Sequence, residues 1–157
     1  AEGLEFAGCI FFGLILTDNG TYLLEYNMRF GDPETQVVLP LVEGDFYQLL
    51  VACMERRLEP SDIKIRDQKA ICLVLASGGY PGSYEKGKEI TGLEGVDYLD
   101  AGVRREEGKA YTNGGRVLNL VARADTLEAA RQVVYENAQK VDFAGKTYRK
   151  DIGADAV

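Results

Sequence analysis

The 157 residues contain no histidine. Imidazole general bases, His-containing catalytic triads and His metal sites are therefore excluded within this chain. Cysteine is scarce: Cys9, Cys53 and Cys72 are the only three, their number is odd, and no CxxC occurs. Each lies in an apolar pattern, which predicts buried, reduced thiols in a cytoplasmic protein. Basic excess is also missing. The net charge is −7 and the pI about 4.7, against a general nucleic-acid binder. Phosphate ligands remain open, since they need only local cations, a metal or backbone N–H groups. No apolar run is long enough to cross a bilayer; "FAGCIFFGLIL" (Phe6 to Leu16) is too short and holds two glycines. No leader, repeat or low-complexity tract is visible, so no membrane or nucleic-acid partner is expected.

What is present reads as globular: 46% hydrophobic and 27% charged residues, in a length that suits one medium domain or two small units. The sequence opens in mid-pattern at Ala1, and we expect it to be part of a longer chain. Phe6 to Leu16 is predicted as a buried strand, Asp18-Asn19-Gly20 as a hairpin turn and Tyr22 to Met28 as the antiparallel return strand. Asp32 is expected to cap a short helix that has Pro33 as its first residue and runs to about Leu39. A second helix starts near Asp45, with Phe46, Leu49, Leu50 and Cys53 at helical spacing, and ends at Glu59-Pro60-Ser61. A domain boundary is placed there. Beyond it, "KAICLVLAS" (Lys69 to Ser77) is apolar on both faces and reads as a central strand. Short glycine-rich segments to Gly115 read as a strand meander, and "RVLNLVARA" (Arg116 to Ala124) as another strand. Asp125 with Glu128 forms a capping box for a helix whose apolar face is Leu127, Ala130, Val134, Ala138 and Val141. The tail after it is read as irregular.

The stretch "LLEYNMRFGDPETQ" carries the chemistry. Strand alternation puts Leu23, Glu25, Asn27 and Arg29 on one face and Tyr22, Leu24, Tyr26 and Met28 on the other, which is expected to be core. Glu25 and Asn27 are hard oxygen donors two residues apart. Mg²⁺ takes one or two such protein ligands plus waters and substrate phosphates. Arg29 could hold an acyl or phosphoryl anion bidentately. Gly31 lets backbone approach a ligand, and the N–H groups after Asp32 would form an anion-favouring helix start. A solvated strand face followed by a capped helix would use the same residues, so chemistry alone does not name the reaction.

The stretch "LLEYNMRFGDPETQVVLPL" resembles the signature of the phosphoribosylamine–glycine ligase family, E-[FY]-N-x-R-F-G-D-P-E-x-Q, at every fixed position. The resemblance continues through "LASGGYPGSYEKGKEI", "GGRVL" and "RKDIG". It implies an α+β chain: residues 1–59 as the C-terminal part of an ATP-grasp fold, and residues 60–157 as a small C-terminal domain resembling the barrel-sandwich hybrids. It also implies ATP-dependent joining of glycine to 5-phosphoribosylamine in purine biosynthesis, in the cytoplasm, with ATP and Mg²⁺ or Mn²⁺. Glu25 and Asn27 match the metal ligands. Arg29 and Asp32 match motif positions near the reacting groups, Arg29 for the acyl phosphate and Asp32 for substrate or helix capping. The N-terminal domains of such an enzyme, with the amine site and the nucleotide lid, have no counterpart here, so the chain alone is expected to be inactive. Asp155 stands where the family often has a cation. Two other readings stay open: another ATP-grasp ligase of biotin-carboxylase type, against which "RFGDPE" argues, and a non-catalytic binding or scaffold module. "SGGYPG" and "NGG" read as turns, "RREEGK" as a solvated hairpin, and Tyr148-Arg149-Lys150 as a surface tail.

Overall fold

A computed structural model describes Gly3 and residues 5–154; Asp155 lies outside the described residues. The chain divides into two units, at Arg66 and Asp67. The division falls later than the boundary expected after residue 59, because the short strands β3 (Val42–Glu43) and β4 (Lys64–Ile65) pair antiparallel. Arg66 also donates its backbone N–H to the Leu41 carbonyl, which keeps the segment in the first unit.

In the first unit, β1 (Phe11–Thr17) and β2 (Gly20–Asn27) form an antiparallel hairpin closed by Asp18 and Asn19. Gly20 takes a positive φ of 126°, which its lack of a Cβ permits. β1 is shorter than expected, beginning at Phe11 and not at Phe6, whereas β2 begins earlier than expected, at Gly20, and neither strand is buried. Phe12, Leu14, Leu16, Tyr22, Leu24 and Tyr26 are all exposed. These residues satisfy an apolar strand pattern, but none of the described residues of this unit covers them.

The helix expected from Pro33 is displaced. α1 is only Thr35–Val38, with Glu34 at its N-cap and no side-chain cap bond, followed by a 3₁₀ turn at Leu39–Leu41. Asp32 is therefore not the cap. Its Oδ1 accepts from the Gln36 side-chain amide at 2.7 Å. A helix this short also gives no anion-favouring N-terminus at Asp32. α2 (Phe46–Met54) starts as expected: Asp45 caps it by accepting from the Gln48 N–H at 3.3 Å. It ends earlier than expected, where Arg56 takes a positive φ of 57°. A second 3₁₀ turn follows at Pro60–Asp62.

The second unit holds the core. β5 (Lys69–Ser77) and β10 (Arg116–Ala124) pair antiparallel at the centre of a four-stranded sheet, flanked by β11 (Lys146–Thr147) and β7 (Tyr98–Asp100). β6 (Glu89–Ile90), β8 (Val103–Glu106) and β9 (Lys109–Thr112) form the expected meander as a second sheet. Register pairs Leu75 with Leu118, Leu73 with Leu120 and Ile71 with Ala122. Side chains alternate in direction along a strand, so these six share one face. α3 (Leu127–Lys140) packs on this sheet, adding buried Ala130, Val134 and Ala138 to the same cluster. Thr126, not Asp125, caps α3; its hydroxyl accepts from the Ala129 N–H at 3.1 Å. The helix's C-terminal end is met by Lys146, whose ammonium donates to the Ala138 carbonyl at 2.9 Å and also to that of Val141. A cation there complements the unpaired carbonyls of the last turn.

The tail is more ordered than expected. Tyr135 on α3 donates its hydroxyl to the Arg149 carbonyl (2.9 Å) and accepts from the Ile152 N–H (3.1 Å). Arg131 donates Nε to the Ile152 carbonyl and Nη2 to that of Lys150, each at 3.0 Å. "RREEGK" is the β8–β9 hairpin, and Arg105 within it forks onto both Asp100 carboxylate oxygens at 3.0 and 3.1 Å. The three cysteines are free and half-buried, not fully buried. Among the described residues no helix is long and apolar enough to cross a membrane.

Candidate functional site

Glu25 and Asn27 lie near the end of β2, and the pairing with β1 decides which way they face. Asn27 opposes Phe11, Tyr26 opposes Phe12, and Glu25 opposes Gly13 without interruption, so Glu25 and Asn27 share one face. The register then shifts. Leu14 opposes Leu23, so Leu24 is an extra residue in β2, a β-bulge. The bulge reverses the phase of the strand before Glu25. Leu23 joins Leu14, Phe12 and Tyr26 on the apolar face, where the Phe12 and Tyr26 rings stand 6.4 Å apart. Tyr22, opposing Ile15, moves to the face of Glu25 and Asn27. Strict alternation had put Leu23 with the carboxylate and Tyr22 with the core; both are corrected by the bulge.

Opposite Glu25, β1 has glycine. A Cβ built there would stand 3.2 Å from the Glu25 Cγ, so the Glu25 side chain leans across Gly13. Neither the Glu25 carboxylate nor the Asn27 amide has a hydrogen-bond or ion-pair partner among the described residues, and Glu25 is exposed. Two oxygen donors of this kind, one anionic and one neutral, on one face and unengaged, fit a hard divalent cation completing its shell with water and substrate oxygens. No group of three or more His, Cys, Asp or Glu residues is arranged to hold a metal unaided among the described residues. The donor set thus suits a metal delivered with a phosphate ligand better than a closed structural site.

Arg29 lies beyond the last residue of β2, so strand alternation does not set its direction. It is exposed, and its Nη1 donates to the Phe30 carbonyl at 2.9 Å. Gly31 is buried, and its carbonyl accepts from the Thr35 N–H at 3.2 Å and from the Thr35 hydroxyl. The space beside its Cα is filled by the Glu34 carboxylate. Asp32 is exposed and faces Gln36. The structure thus brings Glu25 and Asn27 together on a strand and leaves Arg29, Gly31 and Asp32 on the turn that follows. A separate concavity of about 480 Å³ near α2 is bordered by Glu43, Asp45, Arg57 and Lys64 and includes none of these five residues.

Sequence reasoning missed Gly13 and the bulge. The signal for Gly13 was available: a lone glycine inside a strand pattern marks a close approach. The bulge left no such mark.

Comparison with known proteins gives two family matches. Residues 70–155 match the model described as phosphoribosylglycinamide synthetase, C domain. Residues 1–35 match phosphoribosylglycinamide synthetase, ATP-grasp (A) domain. A relative from Fusobacterium nucleatum, named phosphoribosylamine–glycine ligase, is 48% identical across 98% of this chain and 38% of its own length. A chicken relative, named trifunctional purine biosynthetic protein adenosine-3, is 43% identical across 99% of this chain and 16% of its own. The crystal structure of phosphoribosylamine–glycine ligase from Thermotoga maritima superposes with a TM-score of 0.79 at 44% identity, over 91% of this chain and 36% of that one. The chain thus spans little more than a third of the length of the monofunctional relatives it matches.

Proposed function

The chain belongs to the phosphoribosylglycinamide synthetase family, and from that premise we propose that it is part of an ATP-dependent ligase joining glycine to 5-phosphoribosylamine. Residues 1–59 are read as the end of the ATP-grasp domain and residues 60–157 as the C-terminal domain. The remaining domains of the same polypeptide supply the amine site and the nucleotide lid, so the chain alone does not turn over. The setting is the cytoplasm.

The observation that carries the reading is the pair of unengaged oxygen donors, Glu25 and Asn27, on one face of β2. In the proposed reaction a glycine carboxylate oxygen attacks the γ-phosphorus of ATP and ADP leaves. The amine nitrogen then attacks the acyl carbon and inorganic phosphate leaves, giving glycinamide ribonucleotide. The Glu25 carboxylate and the Asn27 amide oxygen would hold Mg²⁺ or Mn²⁺, which when bound offsets the phosphate charge. Arg29, whose fork needs only release from the Phe30 carbonyl, receives the anionic oxygens of the acyl phosphate. Asp32 had two candidate roles. It does not cap the helix, which favours its acting on substrate, and the adjacent Gly31 would offer backbone there once the Glu34 carboxylate moves aside.

The test is Glu25→Gln in the full-length ligase. The amide keeps the shape and removes the charge. Glycine- and phosphoribosylamine-dependent ADP release should fall by at least about a hundredfold at ordinary Mg²⁺, with the thermal midpoint unchanged. Near-normal turnover would overturn the metal-ligand assignment.

A further inference from the structure

The geometry points to Gly13 as a positioning residue for the Glu25 carboxylate: its missing side chain is the space that Glu25 occupies when it faces a metal. The inference rests on the metal-ligand reading above and goes beyond it, to a residue on the opposite strand that touches neither metal nor substrate.

Three observations carry it. Gly13 and Glu25 are direct partners in the hairpin register, so their side-chain positions meet on one face. A Cβ at position 13 would stand 3.2 Å from the Glu25 Cγ, tighter than ordinary van der Waals contact, with the Glu25 backbone carbonyl and nitrogen at 3.5 and 3.8 Å. The crowded atom is Cγ, near the root of the side chain, so it must give by a few tenths of an ångström, and a small turn about χ1 that achieves this is magnified at the carboxylate. Third, Gly13 is not among the glycines with positive φ. Its backbone suits any residue, so conformational freedom is not why glycine stands there. A strand interior otherwise disfavours glycine, which leaves more backbone entropy to lose and packs nothing.

The bulge makes the requirement local. Because Leu24 is the extra residue, the register shifts immediately beyond the Gly13–Glu25 pair. Glu25 cannot find relief by sliding toward Leu14, whose side chain lies on the other face with Leu23. The residues flanking Gly13 on its own face are Phe11 and Ile15, both larger, which leaves position 13 as the open one.

The experiment uses the full-length protein and reads Mn²⁺ binding directly, by electron paramagnetic resonance of free Mn²⁺ in the presence of ADP, alongside thermal unfolding. Gly13→Ala and Gly13→Ser should each weaken Mn²⁺ binding by about tenfold or more, the range seen when groups that orient metal ligands are lost. Turnover should fall at limiting metal and recover at excess. The thermal midpoint should hold or rise, because alanine is the better strand residue and restricts the unfolded chain. Wild-type Mn²⁺ affinity in both variants would overturn the proposal. So would a fall in thermal midpoint that tracks the loss of affinity, since the glycine would then serve packing. Glu25→Gln separates the two readings: if it leaves Mn²⁺ binding intact, the metal assignment falls and takes the role of Gly13 with it. If it abolishes binding while Gly13→Ala does not, the inference about Gly13 falls alone.

Discussion

Replacing Tyr135 by phenylalanine removes one oxygen atom and two hydrogen bonds. The hydroxyl donates to the Arg149 carbonyl at 2.9 Å and accepts from the Ile152 N–H at 3.1 Å, so one atom joins α3 to both ends of the tail segment. The ring itself keeps its neighbours: the Arg131 guanidinium 4.8 Å from its centroid and the Tyr148 ring at 6.2 Å. Each net hydrogen bond is worth about 0.5–1.5 kcal/mol, so the sum is about 1–3 kcal/mol. The lower half of that range applies, because Arg149 is exposed and water can replace the donor to its carbonyl. The Ile152 N–H is half-buried and loses its acceptor with less compensation. We expect a loss of about 1–1.5 kcal/mol in urea unfolding, or roughly 4–12 °C in thermal midpoint for a unit of this size. Hydrogen exchange reads the same contact: the Ile152 amide should exchange about tenfold faster. Unchanged Ile152 exchange, or a stability loss below about 0.3 kcal/mol, would refute the view that α3 fastens the tail. A double-mutant cycle with Arg131→Met should show coupling, since both side chains hold the same segment.

Leu120→Ala should cost about 2–5 kcal/mol in urea unfolding, since Leu120 is fully buried, paired with buried Leu73, and lies in one cluster with Val134; a loss under about 1 kcal/mol would mean that the sheet–helix interface can collapse around the gap. The Asp151 carboxyl is held below its ordinary value, first by its hydrogen bond with the Arg149 side chain and then by a backbone hydrogen bond. A depressed carboxyl contributes stability that is present above its unfolded value and is lost as pH falls through the folded one, so the Asp151–Arg149 contact should release only in acid below the usual aspartate range. NMR titration of Asp151 in Arg149→Gln should show the midpoint moving up toward the ordinary value, and an unmoved midpoint would count against Arg149 as the main cause.

The second unit was largely legible because its elements carry strong, redundant patterns. β5 is apolar on both faces between Lys69 and Ser77, which a central strand accommodates, and β10 keeps an apolar majority around Arg116, Asn119 and Arg123. α3 repeats its apolar residues at helical spacing, and four of the five expected positions are fully buried. Its cap was misread by one residue because Asp125 and Thr126 are both competent caps and Glu128 stands three residues after the former. The extended backbone at Thr126 (φ −123°, ψ 153°) decides between them. The tail looked irregular because its hydrogen bonds run from its own backbone to side chains on α3, and such pairings leave no periodicity in the segment that receives them.

The first unit was misjudged for a different reason. An apolar strand pattern reports that a surface is covered in the folded protein, not which segment covers it. Phe12, Leu14, Leu16, Leu23 and Tyr26 make such a surface and are exposed here. A lone hairpin is marginal in water, and the chain spans little more than a third of the monofunctional relatives it matches. Both facts fit a hairpin shaped to complete a larger sheet. The same hairpin explains why the neighbours of the proposed metal-ligand pair were misplaced. Alternation along "LLEYN" is equally good whichever residue is extra, because a bulge belongs to the pairing and not to one strand. Glu25 and Asn27 share a face because no bulge falls between them, and Leu23 leaves that face because one falls just before. Reading β2 alone could never separate these cases. β1 carries a mark of another kind, since the one position of "FFGLILT" that lacks a side chain is the partner of the carboxylate.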